Sequence, residues 1–196
     1  MGLHRAGFEV VGWDIKQQPH YPFEFHLGNA LDADLTGFDF VWASPPCQSY
    51  AITNNIWKKP AGHYPDLVIP TRDKLKASGL PWIIENVPGA SLHNPLTLCG
   101  RMFGLRVYRH RLFECSEFIL APPHHSHSDR ASCGRTPKAD EFFTIAGHFG
   151  GVEGGKKAMG IEWMTRDELS QSIPPAYSEY LGRQVLKAIE STRPQL

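Results

Sequence analysis

Phe38-Asp39-Phe40-Val41-Trp42-Ala43-Ser44-Pro45-Pro46-Cys47 decides how the chain is read. Its first six residues, rich in aromatic and β-branched side chains, predict a strand. Two consecutive prolines donate no ladder hydrogen bond and must end it. A second stretch repeats the plan. Pro81-Trp82-Ile83-Ile84-Glu85 predicts a short apolar strand, and Asn86-Val87-Pro88-Gly89 a turn. Between them, residues 49–64 read as a loop. Residues 66–78 read as a helix ending at Gly79, with Pro70 arguing for a kink or a late start. Upstream, Gly2 to Gly7 resembles a helix end closed by glycine, and residues 8–13 form a strand ending at Asp14. Phe23 to His26 is a further strand, followed by the turn Gly28-Asn29-Ala30. Strands separated by helix or loop predict an α/β fold with a mostly parallel sheet. Ligands of such sheets bind outside the carboxyl ends of the strands, which gathers Asp14, Cys47 and Glu85 at one rim.

The second half reads differently. Leu105 to Phe113 and Phe118 to Leu120 are strand-like, residues 121–140 are loop by composition, and Phe142 to Ala146 is a strand. Gly147 to Lys157 reads as a flexible glycine-rich loop that lacks the Gly-Lys-Ser/Thr end of a phosphate cradle. Thr165 with Glu168 forms a capping box. Ala176 to Glu190 is a helix whose apolar positions Tyr177, Leu181, Val185 and Ile189 share one face.

The 196 residues suffice for one hydrophobic core. Twenty basic and twenty acidic side chains cancel, which excludes a strongly basic coat protein and an acidic tail. No apolar run approaches the ~20 residues that span a bilayer, so no membrane partner is expected. Cysteines 47, 99, 115 and 133 form no C-x-x-C pair and are read as free thiols of a reducing compartment. The run containing His124, His125 and His127, flanked by Cys115 and Cys133, matches no strong zinc spacing. It is read as an exposed polar loop, and no metal is expected.

Each rim residue admits two readings. Cys47 is either a buried structural thiol or a nucleophile activated by nearby cations. Glu85 either faces solvent or, half buried, holds a proton and acts as an acid. Asp14 either caps a turn or takes the hydroxyls of a ribose.

These residues, in this order, resemble the DNA cytosine-5 methyltransferases. Ser44-Pro45-Pro46-Cys47-Gln48 is similar to the catalytic Pro-Cys loop of that family and Glu85-Asn86-Val87 to its Glu-Asn-Val motif. Val107-Tyr108-Arg109-His110-Arg111 resembles its Gln-x-Arg-x-Arg motif, with Val107 in the first place. Ser170-Gln171-Ser172-Ile173-Pro174-Pro175 resembles the last motif, with Gln171 in place of Asn, and Gly28-Asn29-Ala30 a cofactor segment, with Asn29 in place of Asp. A thiol after the two prolines, rather than an aromatic side chain, favours carbon-5 over exocyclic-amine methylation. The resemblance implies a Rossmann-like α/β fold dependent on S-adenosyl-L-methionine, acting as a monomer on double-stranded DNA. It implies that Cys47 attacks carbon 6 of a flipped cytosine, Glu85 serves ring nitrogen 3, Arg109 holds the base, and Arg111 orients the loop and the phosphates. It implies that Asp14, Trp13, Asn29, Pro45, Gln171 and Ser172 hold the cofactor. Two alternatives share these residues: an inactive relative that binds DNA, and a methyltransferase acting on cytosine in RNA.

The resemblance also implies a strand and a Gly-rich loop ahead of Gly2, between the strands 8–13 and 38–43, and a start placed too late is the favoured explanation. Residues 1–113 are expected to form the catalytic core, 114–160 a short target-recognition insert, and 161–196 a segment returning to the core. From 99 to 138 there are seven Lys or Arg and three Asp or Glu, an excess of four positive charges suited to phosphates. The expected location is the cytoplasm of a bacterial cell or phage-infected host.

Overall fold

The computed structural model describes residues 1–50, 64–124, 126–132 and 134–192. The loop expected over 49–64 lies mostly outside these residues, as do His125 and Cys133.

Gly2–Ala6 forms α1, closed by Gly7 at φ 112°. β1 (Val11–Asp14) and β2 (Glu24–Leu27) pair in parallel. β3 (Val41–Ala43) leads to the Pro-Pro-Cys turn, and α2 (Val68–Ser78) follows. Pro70 falls in the first turn of α2, where a missing N–H leaves no helical bond unmade, and Gly79 closes the helix in the left-handed region. β4 (Trp82–Asn86), β5 (Leu96–Leu98) and β6 (Arg111–Cys115) complete a four-stranded sheet of order β3-β4-β6-β5. β3 runs parallel to β4, and β6 runs antiparallel to both neighbours. Among the described residues, no strand pairs with the second edge of β1 or of β3. The segments around those edges touch through Phe8 on Phe40 and Trp13 on Phe38.

Both faces of the four-stranded sheet are covered. Trp82 and Ile84 of β4 pack with Leu75 of α2. Ile83, Leu98 and Phe113 pack with Tyr177, Leu181 and Val185 of the last helix, α5 (Pro175–Thr192). Each fully buried aliphatic side chain here contributes about 1.5–3 kcal/mol. Strand alternation therefore assigns Ile83 and Glu85 to the α5 face and Ile84 to the α2 face. α1 lies against α5, where a Cβ on Gly182 would meet Leu3 and Ala6 at 3.0–3.1 Å.

The remaining elements are β7 (Ala131–Ser132), β8 (Phe142–Phe143), α3 (Val152–Met159) and α4 (Arg166–Gln171). They surround a second core containing Val107, Phe143, Phe149, Met159 and Leu169. Here the structure corrects the sequence reading. The stretch 147–157, expected as a flexible loop, carries α3, which begins after Gly151 at φ 73°. Its glycines permit close packing: a Cβ on Gly154 would lie 2.5 Å from Phe143, and one on Gly155 2.7 Å from Phe149. The strand expected over 105–113 is broken by Arg109 at φ 40°, leaving β6 and a single bridge from Val107 to Phe143. The stretch 118–120 is not a strand; at Leu120, α5 side chains satisfy the backbone instead. Gln184 accepts from the Leu120 amide at 3.0 Å, and Tyr180 donates to its carbonyl at 2.7 Å. The capping box of α4 forms as read, with Thr165 and Glu168 bonding reciprocally. No described helix is long and apolar enough to cross a membrane.

Arg72 of α2 donates through Nε and Nη2 to the two oxygens of Glu114 on β6, each at 2.7 Å, with both side chains about 5% exposed. The His93 amide adds a third bond to Glu114 at 2.8 Å. Burial would raise the Glu114 pKa, but these hydrogen bonds outweigh it and hold the carboxyl below its ordinary range. Glu114→Gln leaves a buried guanidinium without its counter-charge and is expected to lower unfolding free energy by about 3–5 kcal/mol. Urea denaturation will measure this. The difference from wild type should shrink as pH falls from 4.5 toward the depressed pKa.

Candidate active site

Asn86, the last residue of β4, is 1% exposed and donates through Nδ2 to the Pro45 carbonyl at 3.0 Å. Its Oδ1 accepts from the Val87 amide at 2.8 Å. One buried amide thus ties the turn before Cys47 to the strand bearing Glu85. Beyond that turn, the Tyr50 amide bonds the Cys47 carbonyl at 3.0 Å, so the cysteine sits between two pinned points.

Glu85 is 8% exposed. Its register partner on β6 is Phe113, which makes Arg111 its diagonal neighbour on the same face. Arg111 Nε lies 3.1 Å from Glu85 Oε1. Ser44 also hydrogen-bonds Glu85, and its Oγ accepts from Trp42 Nε1 at 3.2 Å. Burial outweighs the attraction of Arg111, the Ser44 bond and Arg109, and holds Glu85 above the ordinary carboxylate range.

Arg109 is a partly buried bolt. Its Nε donates to the Ser172 carbonyl and its Nη2 to the Ser170 carbonyl, each at 2.7 Å, and Nη1 donates to the Ile145 carbonyl. Tyr177 of α5 grips the same loop by donating to the Tyr108 and Arg109 carbonyls at 3.2 and 3.0 Å. Burial and the neighbouring Arg111 push Arg109 down to about 9, while Glu85, Tyr177 and Cys47 lie near enough to favour its charge.

Cys47, Glu85, Arg109 and Arg111 therefore converge. The expected cofactor residues gather less tightly. Asp14 ends β1 and accepts from the Lys16 amide at 2.8 Å and from Gln18 at 3.2 Å. Trp13 stacks on His26 with ring centroids 4.3 Å apart. Asn29 caps the short 3-10 turn Ala30–Asp32 and donates to Asp32 at 3.0 Å. One bridge links this rim to the arginine loop: His20, after β1, lies 2.8 Å from Glu168 of α4. That helix runs through Gln171 to the Ser170 and Ser172 carbonyls that hold Arg109. The anchoring roles of Asn86 and Tyr177 escaped sequence reasoning. A buried amide closing an apolar strand was the available signal for the first. Nothing local marked the second. No protein-family model matches this chain, and no curated protein matches it.

Glu85 binds its proton more tightly folded than unfolded. Its contribution to stability is full below the ordinary value of 4.5 and is lost as pH rises through the raised folded value. The stability of wild type relative to Glu85→Gln should therefore decline with pH above 4.5. Chemical denaturation of both proteins across pH tests this, and a difference that rises with pH would overturn it.

Proposed function

We propose that the chain transfers a methyl group from S-adenosylmethionine to carbon 5 of cytosine in double-stranded DNA, on an α/β methyltransferase fold. The observation that carries this reading is the convergence of Cys47, Glu85, Arg109 and Arg111, with Asn86 joining the cysteine turn to the glutamate strand. A nucleophile, a proton-holding carboxyl and two guanidinium groups at one sheet rim suit attack on an electron-poor ring.

The cofactor residues fit in part. Asp14 stands at the carboxyl end of β1 with its carboxylate partly accessible, the place and chemistry of a ribose ligand. Trp13 beside it presents an aromatic face suited to adenine. Gln171 and Ser172 lie on the bridge between this rim and Arg109. The bound cofactor would supply an electrophilic methyl group.

The protein supplies the rest. Cys47 Sγ adds to carbon 6 of the flipped base, and the electron pair displaced from the 5,6 double bond makes carbon 5 nucleophilic. Protonated Glu85 donates at ring nitrogen 3, where negative charge develops. Arg111 faces Glu85 and tunes that proton. Arg109, with three N–H groups on carbonyls, holds the loop in place. Carbon 5 takes the methyl, its proton passes to a base or water, and the carbon–sulfur bond breaks as the double bond re-forms.

A duplex containing 5-fluorocytosine blocks that proton loss and should trap the chain. With S-adenosylmethionine present, a denaturation-resistant protein–DNA band is expected, absent for Cys47→Ala. Glu85→Gln should slow its formation by roughly 10²–10⁴-fold. The duplex needs varied flanking sequence. No band from folded protein that binds the cofactor would favour a non-catalytic DNA-binding protein. A band on RNA alone would move the substrate to RNA.

A further inference from the structure

The polar run at 121–130 meets the sheet in an unexpected way. His124 and His127 come together with His110, from the arginine loop, and with Cys99, which follows β5. The four ligand atoms all lie within 4.8 Å of one another. His110 Nε2 is 3.1 Å from His124 Nε2 and 2.9 Å from His127 Nε2, and Cys99 Sγ is 3.5 Å from His127 Nε2.

Ordinary two-centre hydrogen bonds do not account for this set. A ring nitrogen carries either a proton or a lone pair. His110 Nε2 can serve His124 and His127 at once only through one shared, three-centred bond. His127 Nε2 can serve His110 and Cys99 only in the same shared way. Protonating all three imidazoles would crowd like charges together. A single cation accepting four lone pairs resolves the conflict. Zinc bonds of about 2.0–2.1 Å to nitrogen and 2.3 Å to sulfur give tetrahedral edges of about 3.3 Å between nitrogens and 3.6 Å between nitrogen and sulfur. The three distances fall close to those edges.

We propose that Cys99, His110, His124 and His127 bind one zinc ion, with Cys99 giving up its thiol proton and the three imidazoles binding neutral through Nε2. With four protein ligands the site is closed, hence structural rather than catalytic. Its place in the fold gives it a task. His110 lies between Arg109 and Arg111, while residues 116–124 and 126–130 cross the surface without regular secondary structure. Connections of that length without secondary structure are uncommon in a compact domain. The ion fastens their middle to the loop that carries both arginines. Neighbouring contacts point the same way. Tyr108 stacks on His127 with centroids 4.0 Å apart and donates to the Asp129 carbonyl at 2.7 Å, and Arg101 pairs with Asp129. The expectation of a metal-free loop paired these histidines with Cys115 and Cys133. Cys115 lies outside the cluster, and Cys99 takes the thiol position.

The test is independent of methyl transfer. Protein made without a polyhistidine tag and dialysed after zinc loading is assayed by plasma mass spectrometry. About one zinc per chain is expected. Cys99→Ser and His124→Ala should each weaken binding at least about tenfold, while His93→Ala and His148→Ala retain it. Cobalt exchanged into the site should show tetrahedral d–d bands and a thiolate charge-transfer band, the latter lost in Cys99→Ser. Circular dichroism of His124→Ala, an exposed ligand, separates lost binding from lost folding. Less than about a tenth of an ion per folded wild-type chain, or equal zinc in the Cys99→Ser, His124→Ala double variant, would overturn the proposal.

Discussion

The antiparallel register of β4 on β6, with Glu85 opposite Phe113 and Ile84 opposite Glu114, governs the rest of the structure. Side chains alternate along both strands, so this pairing sorts two buried acids to opposite faces. Glu85 meets Arg111 on the face toward α5, and Glu114 meets Arg72 on the face toward α2. A slip of one residue would exchange the faces, putting charge against apolar packing on both sides. The register is therefore held by the cost of unpaired buried charge as well as by the apolar contacts of Ile83, Ile84 and Phe113.

The two ion pairs do different work. The Arg72–Glu114 pair is bidentate, further bonded by the His93 amide, and keeps its carboxylate ionised. It clamps helix to sheet. The Glu85–Arg111 pair has a single close contact, and burial raises the pKa of its acid. That acid stands beside the pinned cysteine turn. Bracing of this rim falls to neutral or fully engaged groups: the Asn86 amide, the Tyr177 hydroxyl and the Arg109 guanidinium on its carbonyls.

The second core depends on close approach. The backbone of α3 comes near Phe143 and Phe149 because Gly154 and Gly155 carry no Cβ there. Val107, which stands where the resembled motif has Gln, is 1% exposed in that core and bridges to Phe143. The arginine loop is thus gripped from three sides: by the second core through Val107, by the α4–α5 segment through Arg109 and Tyr177, and by the run at 121–130 through His110.

Local chemistry made much of this legible. Paired prolines end β3, Gly79 closes α2, Thr165 with Glu168 starts α4, and an apolar run makes β4, because each effect acts within a few residues. Cys47, Glu85, Arg109 and Arg111 could be picked out instead through an order and spacing that resemble the motifs of a known family. The helix hidden in 151–159 could not, since its glycines are explained only by aromatic rings distant in sequence. Nor could the partners of Glu85 and Glu114, which depend on register, or the assembly of Cys99, His110, His124 and His127 from three separate segments. Secondary structure and candidate chemistry follow from neighbours along the chain. Which charges pair, which carboxyl has its pKa raised and which imidazoles meet depend on burial and distance across it, and those exist only once the chain has folded.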